Sequence, residues 1–286
     1  MGHFIPPSST IKNVLYKTNY RTGNLKMISD VFVKDQIEKI EKNFFLANNL
    51  QRISPFNAQL GFGVSGNKWK DQPYEAGCSA HKLHFKTCNT ISRFCFDCYK
   101  VEIHPQNIMQ FLKLFFLFNN LKLKDDNHRK LWLRPRKQIE VNYSGTIYFR
   151  SLDDAFEGMD HIKCLIEAEI AKGIPIKVKR GCSEFNQLIP NYFDINYDYE
   201  SLVPDKKGWE KIENNFKKIY FKNPLPSLID RCLNYEEYGP LQHNIMFTWL
   251  AFAKIIGDKY YQKIINKPWE EMKEAISPEF ESYINS

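Results

Sequence analysis

The chain has 286 residues, of which 43% are hydrophobic and 26% are charged. This length supports one large or two modest domains with a core of their own, and the composition excludes a mainly disordered, collagen-like or coiled-coil protein. The 40 Lys and Arg residues exceed the 33 Asp and Glu residues, which gives a net charge of +7. That excess is compatible with an anionic partner, such as a nucleic acid, without requiring one.

Neither a membrane span nor a secretion signal is expected. The longest apolar stretch, Phe111 to Phe118, is interrupted by Lys113, whereas a spanning helix needs about 18 apolar residues. The first residues lack the basic and apolar regions of a secretion signal, and the seven cysteines are an odd number, which argues against a disulfide framework. We therefore expect a cytoplasmic protein, and the sequence leaves its oligomeric state open.

The first part of the chain combines one helix signal with a glycine-rich segment. After Asp35, apolar residues recur at helical spacing, at Ile37, Ile40, Phe44 and Ala47. Further on, Gly61 to Gly66 matches the G-x-G-x-x-G spacing of dinucleotide-binding loops. The helix that such a site requires is interrupted by Pro73, so we interpret this segment as a turn-forming loop.

The middle third predicts six consecutive elements in the order β-α-β-β-α-β. Alternating or β-branched residues predict the strands, helical spacing predicts the helices, and the residues 143–145 predict a turn before the third strand. This order is that of a ferredoxin-like α+β core, with an antiparallel sheet ordered 4-1-3-2 and both helices on one face. The predicted strands are 98–103, a segment within 131–141, 146–150 and 174–179, and the predicted helices are 108–121 and 152–170.

These elements divide the chain into four predicted parts. Residues 1–97 form an N-terminal extension with a Cys/His-rich segment, and residues 98–182 form the ferredoxin-like core. Residues 183–208 are expected to be a linker or loop, because they are polar, aromatic and contain two prolines. Residues 209–286 are a helical region, since apolar residues recur at helical spacing from Trp209, from Leu241 and from Trp269.

Cysteine and histidine residues concentrate directly before the first predicted strand, at Cys78, His81, His84, Cys88, Cys95 and Cys98. In the strand order 4-1-3-2 the end of the fourth strand meets the start of the first, so Cys182 should approach Cys95 and Cys98. Thiolates are preferred zinc ligands, and a C-x2-C turn directs two of them to one ion. We therefore predict a zinc site made of Cys88, Cys95, Cys98 and Cys182, with Cys78, His81 or His84 as possible substitutes.

Three other interpretations of these cysteines stay open. The same ligands could hold an iron-sulfur cluster. Alternatively, Cys182 could be a reactive thiol, because Lys179 and Arg180 precede it and nearby cations favour a thiolate. The third interpretation is that the cysteines pack as small buried hydrophobic residues.

The main basic segment lies between residues 122 and 137 and flanks the second predicted strand, which is expected at a sheet edge. Charged residues at an edge commonly prevent pairing between molecules, and they could also contact nucleic acid. The third strand has a partial likeness to the strands on which RNA-recognition sheets stack bases, with Tyr99 and Tyr148 as candidate rings. The candidate anion-binding residues are Arg129, Lys130, Arg134, Arg136, Lys137, Lys179 and Arg180.

Together these features predict a zinc-stabilised intracellular binding protein whose basic surface contacts nucleic acid or another anionic partner. The first alternative is an iron-sulfur or thiol-dependent enzyme, an oxidoreductase or a transferase, that uses the same cysteines. The second alternative is a subunit of a larger assembly.

Overall fold

The structure of the chain is a computed structural model, and it describes residues 28–47, 61–64, 77–121, 123, 127–134, 141–220 and 240–264. These ranges contain helices and a sheet, so the predicted α+β class is confirmed. The strands are β1 (Gly61–Val64), β2 (Tyr99–Ile103), β3 (Arg129–Leu133), β4 (Tyr143–Phe149) and β5 (Ile176–Arg180). The α-helices are α1 (Asp30–Ala47), α2 (Gly77–Cys88), α3 (Arg93–Phe96), α4 (Ile108–Asn120), α5 (Leu152–Glu169), α6 (Tyr199–Leu202), α7 (Lys206–Tyr220) and α8 (Pro240–Ile255), and the 3-10 helices are Ser183–Gln187 and Lys259–Lys263.

The described strands form one antiparallel sheet in the order β1-β3-β4-β2-β5. The four strands predicted from the sequence, β2 to β5, lie in the expected relative order 4-1-3-2. Two expectations about this sheet were wrong. The segment Gly61–Val64 is a strand rather than a loop, and its pairing with β3 removes β3 from the sheet edge. Glycine is a poor strand former, so this strand depends on its pairing partner rather than on local preference.

The predicted turn at residues 143–145 is also wrong, because these residues are the first part of β4. Gly145 pairs with Ile103 on one side and with Leu131 on the other. A Cβ atom at Gly145 would lie 2.6 Å from the Cδ2 atom of Leu114 on α4. A larger residue at this position would therefore require Leu114 to move.

The main hydrophobic core lies between the helices and one face of the sheet. Helix α4 is apolar on nearly all sides, and its residues Leu112 and Phe115 are fully buried. Val33 of α1 and Trp249 of α8 belong to the same core, and the Trp249 ring centroid lies 4.6 Å from that of Phe111. Residues from both terminal parts of the chain thus contribute to the same core, while the boundaries between the four predicted parts stay predictions.

A second hydrophobic cluster, which we call the second core, surrounds the end of the sheet where β2 begins and β5 ends. It contains Phe96, Phe185 and Tyr192, so residues from the segment 183–208, expected to be a linker or loop, pack on the sheet end. Arg180 is 1% exposed, and its side chain contacts residues of this cluster. Its guanidinium donates hydrogen bonds to four backbone carbonyl oxygens, those of Phe96, Tyr192, Asp194 and Tyr197.

The helices in the described ranges include none whose length and apolarity would let it cross a membrane. Most of the apolar stretch Phe111 to Phe118 is buried in α4. The cytoplasmic location stays a prediction.

Replacing Gly145 tests the close packing of α4 on the sheet. The Gly145→Ala variant should lose about 1 to 3 kcal/mol of unfolding free energy, because the added methyl group overlaps Leu114 in a filled core. Urea denaturation of this variant and of Lys163→Ala, at an exposed position on α5, measures the difference. Equal midpoints for the two variants would show that the helix and sheet are not in close contact at this position.

Candidate functional site

The two faces of the sheet differ in character because successive side chains of a strand point to opposite sides. Val101 and Ile103 of β2 belong to the main core, whereas Lys100 and Glu102 lie on the other face. Their partners across the strands continue this division. We call the second side the polar face, and it consists of Lys100, Glu102, Lys130, Trp132, Ser144, Thr146, Tyr148, Lys177 and Lys179, with Arg134 directly after β3.

Glu102 lies at the centre of the polar face and has no exposed surface. Its carboxylate oxygens lie 2.5 Å from Lys179 Nζ and 3.3 Å from His104 Nε2, and Arg134 forms an ion pair with it. Burial alone would raise the pKa of Glu102, but contacts with His104 and Lys179 and the charges of Lys179 and Arg134 hold it well below its usual range. The carboxylate is therefore ionised at neutral pH.

Cations dominate the polar face even with this carboxylate present. Lys100 is only 3% exposed, and burial lowers the pKa of its ammonium while Glu102 opposes that change. Burial and then the charge of Lys100 lower the pKa of Lys179 to about 8. Across the polar face as defined above, Glu102 is the single carboxylate among five cations, namely Lys100, Lys130, Arg134, Lys177 and Lys179, so an anion placed there would offset their mutual repulsion.

Aromatic rings lie between these cations. The ammonium group of Lys130 lies 4.0 Å from the ring centroid of Trp132 and 5.4 Å from that of Tyr148. At the β5 side, Lys179 Nζ lies 5.4 Å from the ring centroid of Phe193. Surfaces that bind single-stranded nucleic acids combine cations for the backbone with rings on which bases stack.

The structure places the predicted anion-binding residues in different environments. Lys130, Arg134 and Lys179 lie on the polar face, as their ion pairs and ring contacts show. Arg129 is 4% exposed and lies on the opposite side of β3, while Arg180 is committed to the carbonyls of the second core. The residues Arg136 and Lys137 lie outside the described residues.

Sequence reasoning missed Glu102, and it placed one aromatic ring on the wrong face. Tyr99 pairs with Phe149 and packs against the main core, so it does not share a face with Tyr148. The signal for Glu102 was present in the alternation of Tyr99 to Ile103, where two charged residues occupy one face of a strand. Such residues in the middle of a sheet require partners on neighbouring strands.

The predicted approach of Cys182 to the start of β2 is confirmed. Tyr99 pairs with Arg180, and the Gly181 amide donates a 2.7 Å hydrogen bond to the Cys98 carbonyl oxygen. The Tyr192 hydroxyl donates a 2.6 Å hydrogen bond to the Cys95 carbonyl oxygen and interacts electrostatically with all three thiols. The sequence segments around Cys95, Cys98 and Cys182 therefore meet at one end of the sheet.

The other predicted metal ligands lie on α2. His81 and His84 are buried there, with ring centroids 4.7 Å from Phe94 and 4.9 Å from Phe216 respectively. Cys88 is half-buried at the end of the helix, and the side chain of Cys78 lies outside the described residues. Among the described side chains, no group of three or more His, Cys, Asp or Glu is arranged to hold a metal ion. Zinc and the iron-sulfur cluster stay predictions.

Comparisons with known proteins identify no relative of this chain. No protein-family model matches it, and neither a curated protein nor a solved structure does so. Function must therefore be argued from the side chains and their geometry.

The histidines of α2 predict that acid destabilises the fold. Burial lowers the pKa of His81 from 6.5 to about 4, although Glu213 opposes the change. Between these values the unfolded chain binds more protons than the folded one, so stability rises with pH by about 3 kcal/mol for this group. Urea denaturation from pH 4 to 7 should show a smaller pH dependence for His81→Gln than for the wild type. Identical pH profiles would contradict a buried neutral His81.

Replacing Glu102 tests its role as the central partner of the cations. The Glu102→Gln variant should lose about 2 to 4 kcal/mol of unfolding free energy, because Lys179 and Arg134 keep only 20% and 21% side-chain exposure. Adding Lys179→Met should recover part of that loss, which a double-mutant cycle by urea denaturation measures. Strictly additive effects of the two substitutions would show that the two charges are not coupled.

Proposed function

We propose that this protein binds single-stranded nucleic acid through the polar face of its sheet. One observation supports the proposal above others: five cations share one face of the sheet with a single carboxylate, and aromatic rings lie among them. The excess charge favours a polyanion, and the rings favour bases that are not paired in a duplex.

The residues of this face have distinct roles in the proposal. Lys177 and Lys130 contact backbone phosphates, since the side chain of Lys177 is 59% exposed and Lys130 lies over Trp132. The half-buried ring of Trp132 stacks on a base. Glu102 does not contact the nucleic acid; it holds Lys179 and Arg134 in position through its ion pairs.

We also propose that the segment from β2 to β5 is a ferredoxin-like unit. The relative strand order and the burial of α4 and α5 in one core support this classification. Ferredoxin-like units carry many unrelated functions, so the binding proposal rests on the polar face and not on the fold.

Fluorescence anisotropy with a labelled single-stranded oligonucleotide, measured over a range of salt concentrations, tests the proposal. The Lys177→Gln variant should bind more weakly and reduce the slope of log K against log salt by about 0.7, as expected for one lost phosphate contact. The Trp132→Ala variant should bind about 1 to 3 kcal/mol more weakly with the slope unchanged, because stacking involves no counterion.

The matched control is Lys163→Gln, which removes one positive charge from an exposed position on α5, a helix of the main core. This variant should bind like the wild type. Equal effects of Lys177→Gln and Lys163→Gln would show that binding depends only on net charge. No binding at low salt, or binding of a duplex in preference, would contradict the proposal.

A further inference from the structure

The end of the β2–β5 strand pair brings two cysteines into neighbouring positions. The pairing of Tyr99 with Arg180 is continued by the hydrogen bond from the Gly181 amide to the Cys98 carbonyl oxygen, at 2.7 Å. Cys98 is thus opposite Gly181, and Cys182 is the next residue. The Cα atoms of residues at such positions in an antiparallel pair are separated by a distance that a disulfide can span, about 4.4 to 6.8 Å.

The side chains of these two cysteines share a neighbour. The ammonium group of Lys100 interacts electrostatically with both Cys98 and Cys182. Lys100 lies on the polar face, two residues after Cys98 and opposite Lys179 of β5. Cys95 packs with Phe96 in the second core, and Cys182 packs against the same cluster.

The two thiols differ in their access to small molecules. Cys182 is half-buried, whereas Cys98 is 7% exposed. Neither is joined in a disulfide in the structure. A small oxidant such as a peroxide therefore reaches Cys182 before it reaches Cys98.

We propose that Cys98 and Cys182 are an oxidation site at which a peroxide produces an intramolecular disulfide. The Cys182 thiolate attacks hydrogen peroxide, so that an S–O bond forms, the O–O bond breaks and the departing hydroxide takes a proton to become water. The Cys98 thiolate then attacks the Cys182 sulfur, and the S–O bond breaks with release of a second water. The two sulfur atoms together lose two electrons, and the peroxide is reduced.

This proposal goes beyond nucleic-acid binding, and it competes with the predicted zinc site for the same residues. A zinc ion bound to Cys98 and Cys182 would occupy both thiolates and prevent disulfide formation. Elemental analysis of the purified full-length protein therefore accompanies the oxidation experiment.

The test treats the full-length Cys164→Ser protein, which lacks an exposed thiol, with one equivalent of hydrogen peroxide. Peptides from digestion without reduction are then identified by mass spectrometry. We expect a peptide pair linked through Cys98 and Cys182, with a mass two hydrogens below that of the reduced pair. Adding Cys95→Ser should preserve the linked pair, whereas adding Cys98→Ser or Cys182→Ser should abolish it. Circular dichroism of each variant establishes that it is folded.

Three results would overturn the proposal. One is a disulfide between Cys95 and Cys98 in place of the expected pair. Another is persistence of both thiols in folded, metal-free protein after peroxide treatment. The third is about one zinc per chain that must be removed by a chelator before either thiol reacts, which would assign Cys98 and Cys182 to the predicted metal site instead.

Discussion

The carboxylate of Glu102 is the interaction on which the polar face depends. A charge without exposed surface is costly unless ionic or hydrogen-bonding partners surround it. Here one partner is His104, two residues further on, and the others, Arg134 and Lys179, come from two other segments of the chain. The cations stabilise the carboxylate, and the carboxylate in turn positions the cations. Glu102 draws Lys179 and Arg134 inward, and these cations would repel one another at close range without it. A dense group of cations therefore has a defined geometry, which a basic surface of solvated lysines lacks.

Arg180 has the corresponding role at the end of the sheet. Its guanidinium is permanently charged and supplies several donors in a fixed plane, so one side chain can satisfy several backbone carbonyls. The carbonyls it contacts belong to Phe96 and to the segment from Tyr192 to Tyr197. The second core is thereby attached to the last residue of β5. This attachment also restrains the chain around Cys98 and Cys182, because the turn before β2 and the residues after β5 are fixed to the same group.

The local sequence pattern was sufficient to predict much of the fold. The strand β2 was predicted from its alternation, α4 from its apolar residues, and the relative order of four strands from the rules for crossover connections. The strand β1 was missed because two of its four residues are glycines, which disfavour strands, and because it pairs with a distant segment. The turn predicted at Gly145 failed for a related reason, since glycine also occurs where a helix packs closely on a sheet.

In the candidate site, likewise, some features could be predicted from the sequence and others depend on contacts with distant residues. The meeting of Cys182 with Cys98 could be predicted, because it requires only the order and direction of two strands. The role of Arg180 could not be predicted, because its partners are carbonyl oxygens, which every residue possesses and no sequence pattern distinguishes. The importance of Glu102 likewise depends on which residues the neighbouring strands place beside it.

Lys100 connects the two proposed sites. Its ammonium interacts with Glu102 and Lys130 on the polar face and with Cys98 and Cys182 at the end of the sheet. A thiolate there is a negative charge beside Lys100, whereas a disulfide carries none. Oxidation of such a thiolate would therefore remove negative charge next to a buried cation and leave the polar face more positive at this end. If the polar face binds a polyanion, the charge of the cysteine pair is part of the field that the polyanion meets, and the redox state of the pair and the occupancy of the face are thermodynamically linked.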